Sequence, residues 1–150
     1  MIYLWSVFVI LCDQLSKILI LGHITEHEAV AVCPLFNLFL TFNKGVSFSL
    51  LASDSPYTPV LLSVFALGVS GALIYWIQKE KNKLSRLGLA LILGGAIGNV
   101  IDRIRFGAVV DFLDFYIGEY HWPAFNIADS AICIGVFILL LASFKKGDKK

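Results

Sequence analysis

Charge is scarce in this chain. Only 15% of its 150 residues are Asp, Glu, Lys or Arg, where a soluble domain carries about 25%. Apolar residues make up 58%, and the mean hydropathy is +0.81. A soluble protein of this size cannot bury so much apolar surface, so lipid is its expected solvent. A basic stripe is also missing. The formal net charge is +1, which excludes nucleic acid as a partner. Cysteine is sparse and odd in number. Cys12, Cys33 and Cys133 are scattered, so they indicate neither a disulfide framework nor a Cys-based zinc site. Internal repeats and a soluble domain are absent, and residues 1–150 read as one integral membrane domain.

Four apolar stretches approach the roughly 20 residues needed to cross a hydrocarbon core. They cover about 2–22, 59–77, 84–101 and 127–144. The first lacks a charged n-region, holds Asp13 and Lys17 in its body, and is not followed by a small-x-small cleavage site. It is therefore expected to be retained as a helix. The link between the second and third stretches carries Lys79, Lys81, Lys83 and Arg86 against Glu80, and the tail carries Lys145, Lys146, Lys149 and Lys150 against Asp148. The positive-inside rule puts both on the cytoplasmic side, with both termini inside and loops 23–58 and 102–126 outside. The first of these loops holds LFNLFLTFNKGVSFSLL (35–51). Its partial alternation sets Phe36, Leu38, Leu40 and Phe42 on one side and Asn37, Thr41 and Asn43 on the other. That pattern predicts one or two short strands lying on the membrane, with Asn43-Lys44-Gly45 as a turn. The expected fold is all-α, four transmembrane helices with a small outward-facing β-containing subdomain.

Ionisable residues inside a span are costly and are functional candidates by default. Asp13 and Lys17 are four apart and can pair on one helix face. At 1.5 Å per residue Asp13 is expected about 14 Å below the outer end of its helix. At the outer end of the third span, Gly94 and Gly98 form a small-xxx-small pair for close helix packing. Packing does not explain Asn99, Asp102 and Arg103 at the same edge, nor Asp111 between Val110 and Phe112. The fourth helix opens with FNIADS, placing Asn126, Asp129 and Ser130 in its first turn, about 3–5 Å below the outer interface. Capping by Asn126 and a favourable dipole for Asp129 would account for either residue alone.

Two carboxylates in a poorly hydrated pocket cannot both ionise easily, so they share a proton. Such a pair deprotonates water with one member and protonates an amide leaving group with the other. It needs no metal or other cofactor. Asp102 beside Arg103 and Arg105 is expected to stay ionised, which suits a structural role. Asp111 and Asp114 both lie in apolar surroundings, and the residues alone do not choose between them.

Five segments in order, DQLSK (13–17), FNKGVSF (42–48), GNVIDR (98–103), GAVVDF (107–112) and FNIADS (125–130), resemble lipoprotein signal peptidase, the bacterial signal peptidase II family. The match spans nearly the whole chain. The resemblance implies an aspartic endopeptidase of the bacterial inner membrane, with Asp111 and Asp129 as the catalytic pair near the outer face. It implies substrate-binding or supporting roles for Asn43, Gly45, Asn99, Asp102, Arg103, Asn126, Asp13 and Lys17. The implied partners are membrane lipids and prolipoproteins whose cysteine carries a diacylglyceryl group, cut just before that cysteine. One departure stands out: Val46-Ser47 follows Gly45 where small residues such as Ala-Ala are usual.

Two other readings compete. His23-Ile24-Thr25-Glu26-His27 matches H-x-x-E-H, a zinc-protease pattern whose histidines would share a helix face, with Glu28 or Glu119 as further ligand. A small proton-coupled transporter would use Asp13, Lys17 and Asp129. The acids, however, gather at one membrane edge instead of forming a relay through the core, and paired broken helices are absent.

Overall fold

Leu4, Phe8, Leu11, Leu15 and Leu19 leave more than half of their surface exposed along the first helix, as side chains facing lipid do. The computed structural model describes residues 1–45, 55 and 57–147, with side chains described as far as residue 144. Val46, Ser47, the strand-like stretch on to Leu51, Asp54, Asp148, Lys149 and Lys150 lie outside the described residues. In chain order the elements are α1 (Tyr3–His23), β1 (Ala29–Cys33), β2 (Phe36–Asn43), α2 (Thr58–Lys79), α3 (Lys83–Phe106), β3 (Val109–Ile117), β4 (Tyr120–His121) and α4 (Ile127–Gly147). All four helices are long and apolar enough to cross a membrane.

α3 is the central helix and packs against the other three. Its glycines make this possible. A Cβ on Gly94 would meet the Ser6 carbonyl oxygen of α1 at 2.8 Å, and one on Gly98 would meet the Asp13 carboxylate at 2.8 Å. On the other side, Gly88 and Gly135 cross so closely that a Cβ on either would strike the other's carbonyl oxygen, at 2.7 and 2.6 Å. A Cβ on Gly95 would strike the Ala128 carbonyl oxygen. Backbones in van der Waals contact substitute here for a hydrophobic drive that lipid does not supply. Ser6 Oγ donates to the Ala90 carbonyl at 2.7 Å across the same seam.

The third span is longer than the sequence suggested. Asp102 and Arg103 lie within α3, not in the following loop, and the helix runs to Phe106, where Gly107 at φ 70° ends it in the left-handed conformation. Such a C-terminal glycine closes a helix without steric cost.

The strands form one antiparallel sheet in the order β1-β2-β3-β4. Segment 109–117, which the sequence left as loop, pairs with β2 along its length. β2 carries a bulge between Leu38 and Thr41: Leu38 stands opposite Leu113, but Thr41 stands opposite Asp111. The alternation predicted for β2 is realised. Leu40 is buried with Ile20, Ile24, Val110 and Phe112, and Leu38 and Phe42 flank that cluster. This apolar face docks the sheet on the end of α1, leaving Asn37, Thr41 and Asn43 toward the polar site.

Candidate active site

Two carboxylates around Lys17 set the geometry. Lys17 Nζ lies 2.8 Å from Asp13 Oδ2 and 2.6 Å from Asp102 Oδ2, with all three side chains almost fully buried. Each carboxylate then holds a different segment. Asp13 Oδ1 accepts from the Ala128 backbone N–H at 2.9 Å, in the first turn of α4, where the helix dipole favours a negative charge. Asp102 Oδ2 accepts from the Val110 N–H at 3.0 Å, and its Oδ1 accepts from Gln14 Nε2 at 2.9 Å. Ala128 precedes Asp129 and Val110 precedes Asp111. Lys17 thus ties the two segments that carry the sequence-predicted aspartates.

This arrangement corrects one expectation and adds a relation the sequence does not give. The cationic partner of Asp102 is Lys17, not a neighbouring arginine: Arg103 Nη2 donates to the Gly45 carbonyl at 3.1 Å and Arg105 Nη1 to Gln14 Oε1 at 3.4 Å. The relative heights of α1 and α4 also become visible. Asp13 and Ala128 are in direct hydrogen bond, so the start of α4 and Asp129 lie level with Asp13, about 15 Å short of the α1 terminus at 1.5 Å per residue. The extra turns of α1 are those that pack into the sheet cluster.

Asp111 and Asp129 each receive an asparagine amide. Asn126 Nδ2 donates to Asp111 Oδ1 at 2.7 Å, while Asn126 Oδ1 accepts from the Asp129 N–H at 2.8 Å and caps α4. The capping role expected of Asn126 is therefore present, with a second one beside it. Asn99 Nδ2 donates to Asp129 Oδ1 at 2.8 Å. Its Oδ1 takes Asn126 Nδ2 at 3.2 Å and Lys17 Nζ at 3.4 Å. Asn43 Nδ2 donates to Asp111 Oδ2 at 3.1 Å, and Asn43 Oδ1 accepts from the Gly45 N–H at 2.9 Å. Every residue singled out from the five motifs, Gly45 and Arg103 included, falls in this one network.

Asp111 is 1% exposed. Its burial, and then the nearby Asp129 carboxylate, push its pKa up to about 7, against the lowering effect of its two asparagine donors. Asp111 and Asp129 both border a cavity of about 290 Å³, together with Asn43, Trp122 and Ser130. Asp129 and Asn43 also border a second cavity, of about 250 Å³, whose remaining wall is largely the apolar faces of α2 and α3 around Arg103. Asp114 is engaged elsewhere. Its carboxylate meets His121 Nδ1 at 2.9 Å and Asn37 Nδ2 at 3.1 Å.

The zinc-like pattern does not form a shared helical face. α1 ends at His23, Ile24 is extended, and His27 sits at φ 66° in the following turn. His23 Nδ1 is 2.8 Å from the Leu19 carbonyl. Gln14 and His121 escaped the sequence reading, and Asn37 and Thr41 were legible only as the polar side of a strand. Gln14 stands inside the DQLSK segment, and the other three become site neighbours only through strand pairing that 109–117 did not advertise.

Over residues 5–145 the sequence matches the family described as signal peptidase (SPase) II. The chain belongs to that family. It is 46% identical over 141 residues to a lipoprotein signal peptidase of Janthinobacterium sp. (strain Marseille), covering 93% of this chain and 86% of that protein. It is 45% identical over 148 residues to one of Shewanella pealeana, covering 96% and 87%. Its fold superposes on a solved bacterial membrane enzyme with a TM-score of 0.87 at 32% identity, covering 98% of this chain and 90% of the other. The chain is accordingly a multi-pass membrane protease of the signal peptidase II family, and the transporter reading is set aside.

Proposed function

We propose that this peptidase removes signal peptides from diacylglyceryl-modified prolipoproteins, cutting just before the lipid-modified cysteine, with Asp111 and Asp129 as its catalytic dyad. The observation that carries the reading is the pair of carboxylates bordering one cavity, one of them buried and holding its proton to about pH 7. One member of the pair takes a proton from water as its oxygen attacks the scissile carbonyl carbon. The other gives its proton to the departing amide nitrogen when the C–N bond breaks, which restores the shared proton. The proton belongs to the pair, which titrates as a unit.

The surroundings suit a substrate that is half lipid. The cavity bordered by Leu62, Phe65, Val69, Ile92 and Ile132 offers an apolar wall beside Asp129, fit for a signal helix or an acyl chain. Asn43, Asn99 and Asn126 hold the carboxylates. Arg103, anchored on the Gly45 carbonyl, faces the same cavity and can meet a substrate carbonyl or ester oxygen. Asp13, Lys17 and Asp102 fix the two backbone segments. The cationic α2–α3 link favours a cytoplasmic position for that end and for both termini in the bacterial inner membrane, with the dyad toward the outer side.

The test is cleavage of a diacylglyceryl-modified prolipoprotein by purified protein in detergent, with EDTA throughout. Folded Asp111→Asn and Asp129→Asn are expected to be inactive, and Asp114→Asn active. Loss of wild-type cleavage in chelator would return the reading to His23, Glu26 and His27. A folded wild type that never cuts this substrate would refute the proposed specificity.

A further inference from the structure

At the opposite end of the bundle from the dyad, α1 and α3 line an open cavity of about 1070 Å³. Lys83 and Arg86 stand on its α3 side, and Leu4, Trp5 and Phe8 on its α1 side. Lys83 is 16 residues before Asn99 on the same helix, which separates this cavity from the dyad by about 24 Å.

Lys83 is exposed, and Arg86 is poorly served by the protein. Arg86 Nε is buried and has no hydrogen-bond partner. Among the described residues neither Lys83 nor Arg86 forms an ion pair or a side-chain hydrogen bond. Glu80 is turned to the Lys81 and Asn82 N–H groups, at 2.8 Å each. Both cations also lie in the first turn of α3, which contains no acidic residue, so the helix dipole opposes them. A buried unpaired guanidinium nitrogen costs free energy unless something accepts from it. An anionic group would satisfy it.

The walls say which kind of anion. Leu4 is 66%, Trp5 49% and Phe8 57% exposed, and Leu11 and Leu15 continue the same face of α1. From Leu4 to Leu15 this strip is about 16 Å long, close to half of a hydrocarbon core about 30 Å thick. Free phosphate would use the cations and leave the strip bare. We propose that this cavity binds one anionic phospholipid, its phosphate on Arg86 and Lys83 and an acyl chain along Leu4, Phe8, Leu11 and Leu15. Basic pockets between transmembrane helices take such headgroups by the same pairing of charge and apolar wall.

The test is thermal unfolding of the full chain in a neutral detergent with phosphatidylglycerol, phosphatidylcholine or inorganic phosphate added. Near hundredfold excess over its Kd, phosphatidylglycerol is expected to raise Tm by roughly 5 °C, and the other two by much less. Lys83→Gln/Arg86→Gln should reduce the phosphatidylglycerol shift to the phosphatidylcholine level. Lys79→Gln/Lys81→Gln, an equal loss of charge outside the cavity, should keep it. If the first double variant does not fold, Lys83→Gln alone must weaken phosphatidylglycerol binding at least fivefold, counted as retained lipid by native mass spectrometry. Equal shifts with phosphatidylcholine, a full shift with phosphate alone, or equal losses in both double variants would each overturn the proposal. Prolipoprotein cleavage by the folded cavity variants should stay at the wild-type rate.

Discussion

Replacing Asp111 with asparagine should destroy cleavage and, at alkaline pH, stabilise the fold. The carboxyl has its pKa raised from 3.8 to about 7, first by burial and then by Asp129. Well below pH 3.8 the group is protonated in both folded and unfolded chains and contributes no difference. As pH rises toward 7 the unfolded chain ionises freely while the folded one resists, so the folded state loses ground. At about 1.4 kcal/mol per tenfold change in proton affinity, the loss approaches a ceiling of about 4 kcal/mol above pH 7. Asparagine removes it, but at a cost. Asp111 accepts from the amides of Asn126 and Asn43, and a carboxamide can accept from only one of them. The second then faces another donor, a loss of about 1–2 kcal/mol. The net expectation is a gain of roughly 2–3 kcal/mol at pH 8.5 that turns into a loss of about 1 kcal/mol near pH 4. Reversible unfolding in mixed micelles at both pH values measures it. A variant no more stable than wild type at pH 8.5, or a gain independent of pH, would refute the buried, proton-retaining Asp111.

The remaining expectations concern the same site. On the proposed mechanism cleavage needs the proton shared by Asp111 and Asp129, so kcat/KM should fall about tenfold per pH unit above about 7, as Asp111 ionises; a flat profile from pH 6 to 9 would contradict this. Lys17→Met leaves Asp13 and Asp102 buried without their cation and should cost about 3–5 kcal/mol in unfolding free energy, together with cleavage. Gly95→Ala drives a methyl into the Ala128 carbonyl oxygen and should lower both Tm and cleavage. Gly22→Ala, with nothing within 4 Å of the added carbon, should leave cleavage unchanged.

The spans and the motif residues were legible because the signals behind them are local. Asp and Asn in an apolar setting are conspicuous, and four apolar stretches are long enough to be read one at a time. What stayed hidden depends on partners distant in sequence. VVDFLDFYI did not read as strand because its first four residues are all buried, so inside and outside do not alternate as on a half-solvated sheet. The end of α3 was placed early because Asp102 and Arg103 look like a membrane edge, whereas Lys17 and the Gly45 carbonyl receive them. The relative heights of the helix ends were hidden for a related reason. Each helix was measured against its own end, and only the bond from Ala128 to Asp13 shows that α1 outruns the start of α4.

Asn126 gives the enzyme a built-in order of failure. One amide caps α4 through its oxygen and steadies Asp111 through its nitrogen, so the first turn of the helix cannot fray while the dyad stays aligned. With Asp111 and Asp129 as the proposed dyad, warming that merely loosens this turn would silence the enzyme with its four helices intact. Any compound that draws the Asn126 side chain away from Asp111 would also unseat the helix carrying Asp129. Inhibition and local melting are then two names for a single event.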